Sequence, residues 1–242
     1  MYFVGVDLAW SRRNTSAVAV AHGDELVAWK SALHSLEEIV SFILARAGSA
    51  PAFVAIDAPI TVPNIRGSRE CDRLVSSLFR RHEAGVYPVN RTLLERYGGV
   101  RGQKLGERLM KAGFEHNPAL KAPSRGRVFA EVFPHSAMVV IFRLDRTLKY
   151  KQRAGRCRSL RHTEFRRYQR LLHSLAGGDP PLRVPEEILD VEVERLRGYA
   201  LKRYEDLLDA IICAYTASYC WHRGDCAVVG DLKSGYILTP LP

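Results

Sequence analysis

The sequence predicts one α/β domain built on a mixed sheet, and three observations carry that expectation. Apolar runs at residues 2–7, 15–22 and 25–31 follow one another closely, and His22-Gly23-Asp24 forms the turn between the second and third. A capped helical pattern then precedes a fourth apolar run at 52–57. The length of 242 residues, 47% of them hydrophobic, suits one such domain with insertions and excludes a disordered or fibrous chain.

Each element follows from its residues. Phe3-Val4-Gly5-Val6-Asp7 and Phe53-Val54-Ala55-Ile56-Asp57 are continuous rather than alternating apolar runs, as expected of strands covered on both faces. Thr15-Ser16-Ala17-Val18-Ala19-Val20 and the run after Gly23-Asp24 form a hairpin. Ser35 before Leu36-Glu37-Glu38 is a capping sequence, Ile39, Ile43 and Leu44 mark the buried stripe, and Gly48 ends the helix. Three antiparallel strands, a crossover helix and a fourth strand place the fourth beside the first, because such crossovers are right-handed. Asp7 and Asp57 then become neighbours at the sheet edge.

Pro59 and Pro63 interrupt the chain, after which a helix is predicted over 69–82, a loop over 83–102 and a helix over 103–114. Arg127-Val128-Phe129-Ala130-Glu131-Val132-Phe133 reads as a strand stopped by Pro134. Gly177-Gly178-Asp179-Pro180-Pro181 is a break, 186–197 and 199–222 read as helices, and 227–230 is a short closing strand. Segments 58–126 and 143–200 are insertions in a single domain spanning 1–242.

Four aspartates and one glutamate are the candidate catalytic groups. Asp206 and Asp209 are three apart on a helix and share a side, about 5–6 Å apart at Cβ. Aspartate is a poor helix-interior residue, so the pair calls for a local reason: a divalent cation, or a cap and an arginine partner. Glu205 is one residue round and points elsewhere. Asp7 and Asp57 read as ligands or as turn residues, and Glu131 as a further ligand or an arginine partner, since a lone acid in a buried strand is costly. His135 lies close enough in sequence to assist proton transfer or to be a loop histidine. Carboxylates gathered at a sheet edge can hold Mg2+ or Mn2+ for two-metal phosphodiester cleavage, with Asp7, Asp57, Asp206 and Asp209 as ligands.

Net charge is +10, and it is concentrated. Eleven Lys or Arg face only Asp145 and Glu164 between Arg143 and Arg170. Such a block suits a phosphate-rich partner, DNA or RNA, or forms a solvated face. Tyr150, Phe165 and Tyr168 are stacking candidates within it. Five scattered cysteines favour free thiols in a cytoplasmic protein over a disulfide framework. The first residues lack a signal-peptide pattern, and no apolar run is long enough for a membrane partner.

Val4-Gly5-Val6-Asp7-Leu8-Ala9-Trp10, Ala55-Ile56-Asp57-Ala58-Pro59, Arg69-Glu70-Cys71-Asp72-Arg73, Val86-Tyr87-Pro88-Val89, Glu131-Val132-Phe133-Pro134 and Glu205-Asp206-Leu207-Leu208-Asp209-Ala210 together resemble the domain of unknown function four-twenty-nine family, described as predicted RNase H-like nucleases. The resemblance implies an RNase H-like five-stranded mixed sheet ordered 3-2-1-4-5 and flanked by helices. It also implies a nuclease site at Asp7, Asp57 and Asp206 or Asp209. Glu131-Val132-Phe133-Pro134 departs from a family pattern that often carries histidine before the proline; here His135 follows it. Tyr150-Lys151 with Arg156 resembles a recurring family element. With Lys149, and with Arg69, Arg73 and Arg80 on the 69–82 helix, these are the expected substrate contacts, although the helix arginines equally suit pairing with Glu70, Asp72 and Glu83.

The function expected is metal-dependent nuclease action. The alternatives are a non-catalytic nucleic-acid-binding or scaffolding module of the same fold, and an ATP-binding enzyme of the actin and sugar-kinase kind. Leu8-Ala9-Trp10 and Ala58-Pro59-Ile60 occupy turns that the last would need to be rich in small residues.

Overall fold

The computed structural model describes all residues, Met1–Pro242. Strands β1 (Tyr2–Asp7), β2 (Ser16–His22) and β3 (Glu25–Leu33) form an antiparallel meander. Helix α1 (Leu36–Ala47) carries the chain to β4 (Ala52–Asp57), which pairs parallel with β1. Ser35 and Glu38 close the capping box at its start, and Gly48 ends it. β6 (Arg127–Glu131) pairs parallel with β4, and the two-residue β5 (Glu115–His116) extends the edge, giving the order β3-β2-β1-β4-β6-β5. The expected five-strand order therefore stands with a short sixth strand outside it. β7 (Ala227–Asp231) and β8 (Gly235–Thr239) make a separate hairpin.

The sheet has two covered faces, which is why its strands read as continuous apolar runs. Phe3, Phe53, Ala55, Val128 and Ala130 point into the larger core, beneath helix α8 (Gly198–Arg223). Val4, Val6, Val54, Ile56 and Phe129 point the other way, under α1 and helix α4 (Arg101–Lys111). Alternation then assigns the strand-end acids: Asp7 and Asp57 lie in phase with Phe3 and Phe53, on the α8 face.

Gly5 fixes how closely α8 approaches. A Cβ there would sit 1.9 Å from the Ala210 carbonyl oxygen and 2.2 Å from the Ala214 nitrogen, so only glycine lets the helix backbone rest on β1. Asp206 and Asp209, one turn earlier than that contact, are thereby brought to the Asp7 end of the strand.

Other elements differ from expectation in extent. The 69–82 helix is α2 (Glu70–Leu78) followed by a 3-10 turn at Arg80–His82. Arg69 is extended, and Phe79 leaves helical geometry. Short helix α3 (Arg91–Glu95) lies within the expected 83–102 loop. Pro134 opens helix α5 (Pro134–Ile141), its fixed φ suiting a first helical turn. The basic block divides into an irregular strap at 143–157 and helix α6 (Arg158–Ser174). Within 186–197 only α7 (Glu186–Leu189) is helical; the β-branched Val191 and Val193 follow it, Val193 fully buried.

The expectation of five free thiols is corrected. Cys220 at the end of α8 and Cys226 before β7 form a disulfide, because Gly224 in the left-handed conformation turns the chain back and brings their Cα atoms to 5.2 Å. Cys71, Cys157 and Cys213 are free. No helix is long and apolar enough to cross a membrane.

Candidate active site

Asp7 and Asp57 are direct partners in the parallel β1–β4 register, at the carboxyl ends of both strands. Such ends, where a sheet gives way to loops, are where open α/β sheets gather ligands. α8 brings Asp206, Asp209 and Glu205 to the same place, all three buried. Two lysines face these five acids. Lys151 Nζ lies 2.8 Å from Asp209 Oδ2, and Lys202 Nζ lies 2.7 Å from Glu205 Oε1 and 2.6 Å from Asp206 Oδ1. Tyr150 and Tyr168 hydroxyls donate to Asp209 Oδ1 at 2.6 and 3.1 Å and fix its orientation.

The cluster is incompletely satisfied. Asp206 Oδ2 has no hydrogen-bond donor, and the Lys151 contact to Asp209 Oδ2 is close but out of hydrogen-bonding alignment. Burial, reinforced by the Asp206 and Asp209 charges, pushes Asp7 well above the ordinary carboxylate range. Burial also raises Asp57, to about 7, with Lys151 opposing it. Asp206 is raised by burial despite Lys202, and it lies close enough to share a proton with Asp7. Asp209 goes the other way: burial would raise it, but Lys151 and the Tyr150 hydrogen bond outweigh burial. Three neighbouring carboxyls that favour a proton beside one that does not mark an environment tuned by burial and by nearby charge.

The remaining expected residues lie elsewhere or do something else. Glu131 pairs with Ile56 in register, one residue out of phase with Asp57, and so points to the opposite face. Its carboxylate accepts from the Ile60 amide at 2.8 Å and from both Arg69 Nη atoms at 2.9 and 2.6 Å. Burial nevertheless leaves its pKa raised against the pull of Arg69. Arg69, expected to contact substrate or to pair with an acid such as Asp72, is 2% exposed and does the latter: its guanidinium also binds Asp72 and the Thr61 carbonyl. Arg73 and Arg80 are exposed.

Tyr150, expected to contact substrate, is fully buried against Phe165 and Tyr168, which are also buried, so none of the three offers a stacking face. Lys149 pairs with Glu83, and Arg156 donates to the Lys151 carbonyl at 3.0 Å, bracing the strap. His135 bonds Thr147 through Nδ1, and burial lowers its pKa to about 3.

Sequence reasoning missed Lys202 and the membership of Glu205. The signal was present: Lys202, Glu205 and Asp206 stand at i, i+3 and i+4, the spacing of facing helical pairs.

Every donor at the site is a hard oxygen ligand, and the oxygens that want partners suit a divalent cation. No group of three such side chains is arranged to hold a metal ion as the site stands, and Lys151 and Lys202 pair with Asp209, Glu205 and Asp206.

The fold and these groups define an α/β protein with an acid cluster at adjacent parallel strand ends. The family model described as protein of unknown function (DUF429) matches residues 5–233, and the chain belongs to that family. No curated protein and no solved structure matches it.

Proposed function

We propose that this protein is an RNase H-like, metal-dependent nuclease that hydrolyses phosphodiester bonds of DNA or RNA at Asp7, Asp57, Asp206 and Asp209. The observation that carries this reading is the in-register pairing of Asp7 with Asp57 beneath Asp206 and Asp209, whose buried Oδ2 atoms lack hydrogen bonds. An antiparallel meander, a parallel fourth strand beside the first and a closing helix over β1 support the RNase H-like assignment.

Mg2+ or Mn2+ held by these oxygens would activate water and neutralise the leaving oxygen. The chain's own groups have separable tasks. Asp7 and Asp57 hold position from rigid strand ends, and Asp206 and Asp209 from a helix pinned over Gly5. Tyr150 and Tyr168 lock Asp209. Lys151, whose pKa rises because nearby acids outweigh its burial, stays charged and offers an ammonium to a phosphate oxygen. His135 is neutral at physiological pH and supplies no proton there. The strap that delivers Lys151 also carries exposed Arg153 and continues into α6, where Arg158, Arg167 and Arg170 are exposed. Basic surface and acid cluster are therefore continuous along the chain, as a nucleic-acid track leading to a cleavage site would be.

The test is cleavage of single-stranded, duplex, hybrid and branched substrates with Mn2+ and with chelator. Asp7→Asn and Asp57→Asn should each lower the metal-dependent rate at least about a hundredfold. Failure of the wild-type protein to cleave any of these substrates overturns the reading.

The Lys151 and Lys202 ion pairs favour one second reading, a nucleic-acid-binding module whose acids serve structure. On that reading the Asp7→Asn variant keeps full nucleic-acid affinity and cellular function, whereas neutralising Arg153, Arg167 and Arg170 removes both.

A further inference from the structure

On the other face of the sheet, a cavity of about 350 Å³ opens between the start of α1 and the first turns of α4. Arg12, His34, Ser35, Arg101, Lys104 and Arg108 line it. Arg101, Lys104 and Arg108 stand at i, i+3 and i+7, so one face of α4 presents three cations to it. α1 begins at its wall and adds the positive end of a helix dipole.

The decisive group is Arg101. It is 5% exposed, yet only Nη2 has a partner, the His34 carbonyl at 3.2 Å. Nε and Nη1 have none. A buried guanidinium with idle donors is costly unless something fills them. The nearby acids are committed: Glu37 accepts from Arg108 Nε at 2.9 Å, and Glu38 caps the His34 and Ser35 amides. Burial lowers the Arg101 pKa and the Arg12 charge lowers it further, so the site is short of negative charge. The equally buried Arg69 shows the opposite condition, its guanidinium filled by Asp72 and Glu131.

We propose that this cavity is a phosphate-binding subsite, with Arg101 as its floor and Arg12, Lys104 and Arg108 as its rim. A compact anion of more than one charge suits four cations and two idle N–H donors, and guanidinium groups bind phosphate oxygens strongly. Its position ties it to the acid cluster. Arg12 follows Asp7 by five residues, and Gly102 packs so tightly on the loop after Asp57 that a Cβ would sit 2.1 Å from the Pro59 carbonyl oxygen. A phosphate held here sits beside the strand ends, as a neighbouring backbone phosphate or a terminal one would. Only that source for the phosphate depends on the nuclease reading.

The probe is inorganic phosphate, titrated calorimetrically into the full chain. One saturable site is expected, weakened at least about tenfold by Arg101→Met and about threefold by Arg12→Ala or Lys104→Ala. Absence of saturation at about 10 mM phosphate, or wild-type affinity in Arg101→Met, overturns the proposal. If Arg101→Met does not fold, the surface double variant Arg12→Ala/Lys104→Ala decides: weakened binding supports the subsite, and unchanged binding overturns it. Competition with short single strands separates the sources. Displacement of phosphate by 5′-phosphorylated and 5′-hydroxyl strands alike assigns an internal phosphate, and by the former alone a terminal one. Displacement by neither leaves free phosphate as the ligand, so the subsite stands while the nucleic-acid reading loses its support.

Discussion

Two clusters of buried charge flank the end of β4, and they are built on opposite principles. On one face Arg69 meets Asp72 and Glu131, with every charged group hydrogen-bonded and each carboxylate also serving a backbone amide: Arg69 and Val89 for Asp72, Ile60 for Glu131. On the α8 face five acids share two ammonium groups, and carboxylate oxygens are left without donors. A buried ion pair is tolerated when its hydrogen bonds are complete, so the first cluster is what a fold needs to join two segments. The second retains charge that folding alone does not require. The contrast separates a structural network from a candidate site more sharply than the identity of the acids does, because Glu131 and Asp57 lie at adjacent strand ends and both were candidates.

The largest expected effect tests the structural side. Arg69→Met leaves two buried carboxylates without their cation and should destabilise the protein by about 3–5 kcal/mol, read from the urea midpoint. Asp7→Asn should do the reverse, replacing a carboxyl whose ionised form burial and its acidic neighbours disfavour and leaving metal-free stability unchanged or raised. Equal losses in the two variants would erase the distinction between the two clusters.

Lys151→Met breaks the other side. Without its ammonium, Asp209 faces Asp7 and Asp57 uncompensated, and metal-free stability should drop by about 1–3 kcal/mol. If a divalent ion takes the place of that charge, Mn2+ should restore the melting temperature of the variant and raise it by more than it raises the wild type. A variant that melts lower and ignores Mn2+ would mean that Lys151 is a structural counter-ion and nothing more.

Much of the frame was readable from residues, for identifiable reasons. Continuous apolar runs announced strands covered on both faces, and the handedness of the crossover put Asp7 beside Asp57, an adjacency that the register displays. The Asp206–Asp209 spacing announced a shared helix side. Glu131 was not separable from the other acids, because its face depends on a one-residue register that the run Val128-Phe129-Ala130-Glu131 does not specify. The pairing of Arg69 with Asp72, three residues on, was one of the alternatives its sequence allowed, but its second partner Glu131 is 62 residues away and was not legible. Lys151 was expected as a substrate contact, but its pairing with Asp209 was not legible, because the eleven basic residues of the block carry no mark of which one turns inward. The disulfide depended on a left-handed turn at Gly224 that cysteine spacing alone does not announce.

The smallest expected effect concerns pH. The folded protein holds the Asp57 proton more tightly than an unfolded chain does, with a pKa of about 7 against an ordinary 3.8, chiefly because of burial. The sign follows from linkage: the stabilising contribution of this proton is fully present below the unfolded value and is lost as pH rises toward 7. Asp7 and Asp206 shift in the same direction and Asp209 in the other, so the wild-type curve alone is a mixture. Subtracting the curve of Asp57→Asn, which cannot ionise, isolates the one group. Wild type should lose about 1 kcal/mol or more relative to the variant between about pH 4 and pH 7, measured by urea midpoints in chelator. Saturating Mn2+ should flatten the difference, because a bound cation favours the ionised carboxylate that burial disfavours. A flat difference in chelator would mean that Asp57 is already compensated by Lys151, and the charge imbalance that distinguishes the α8 face from the Arg69 network would then lie with Asp7 and Asp206 alone.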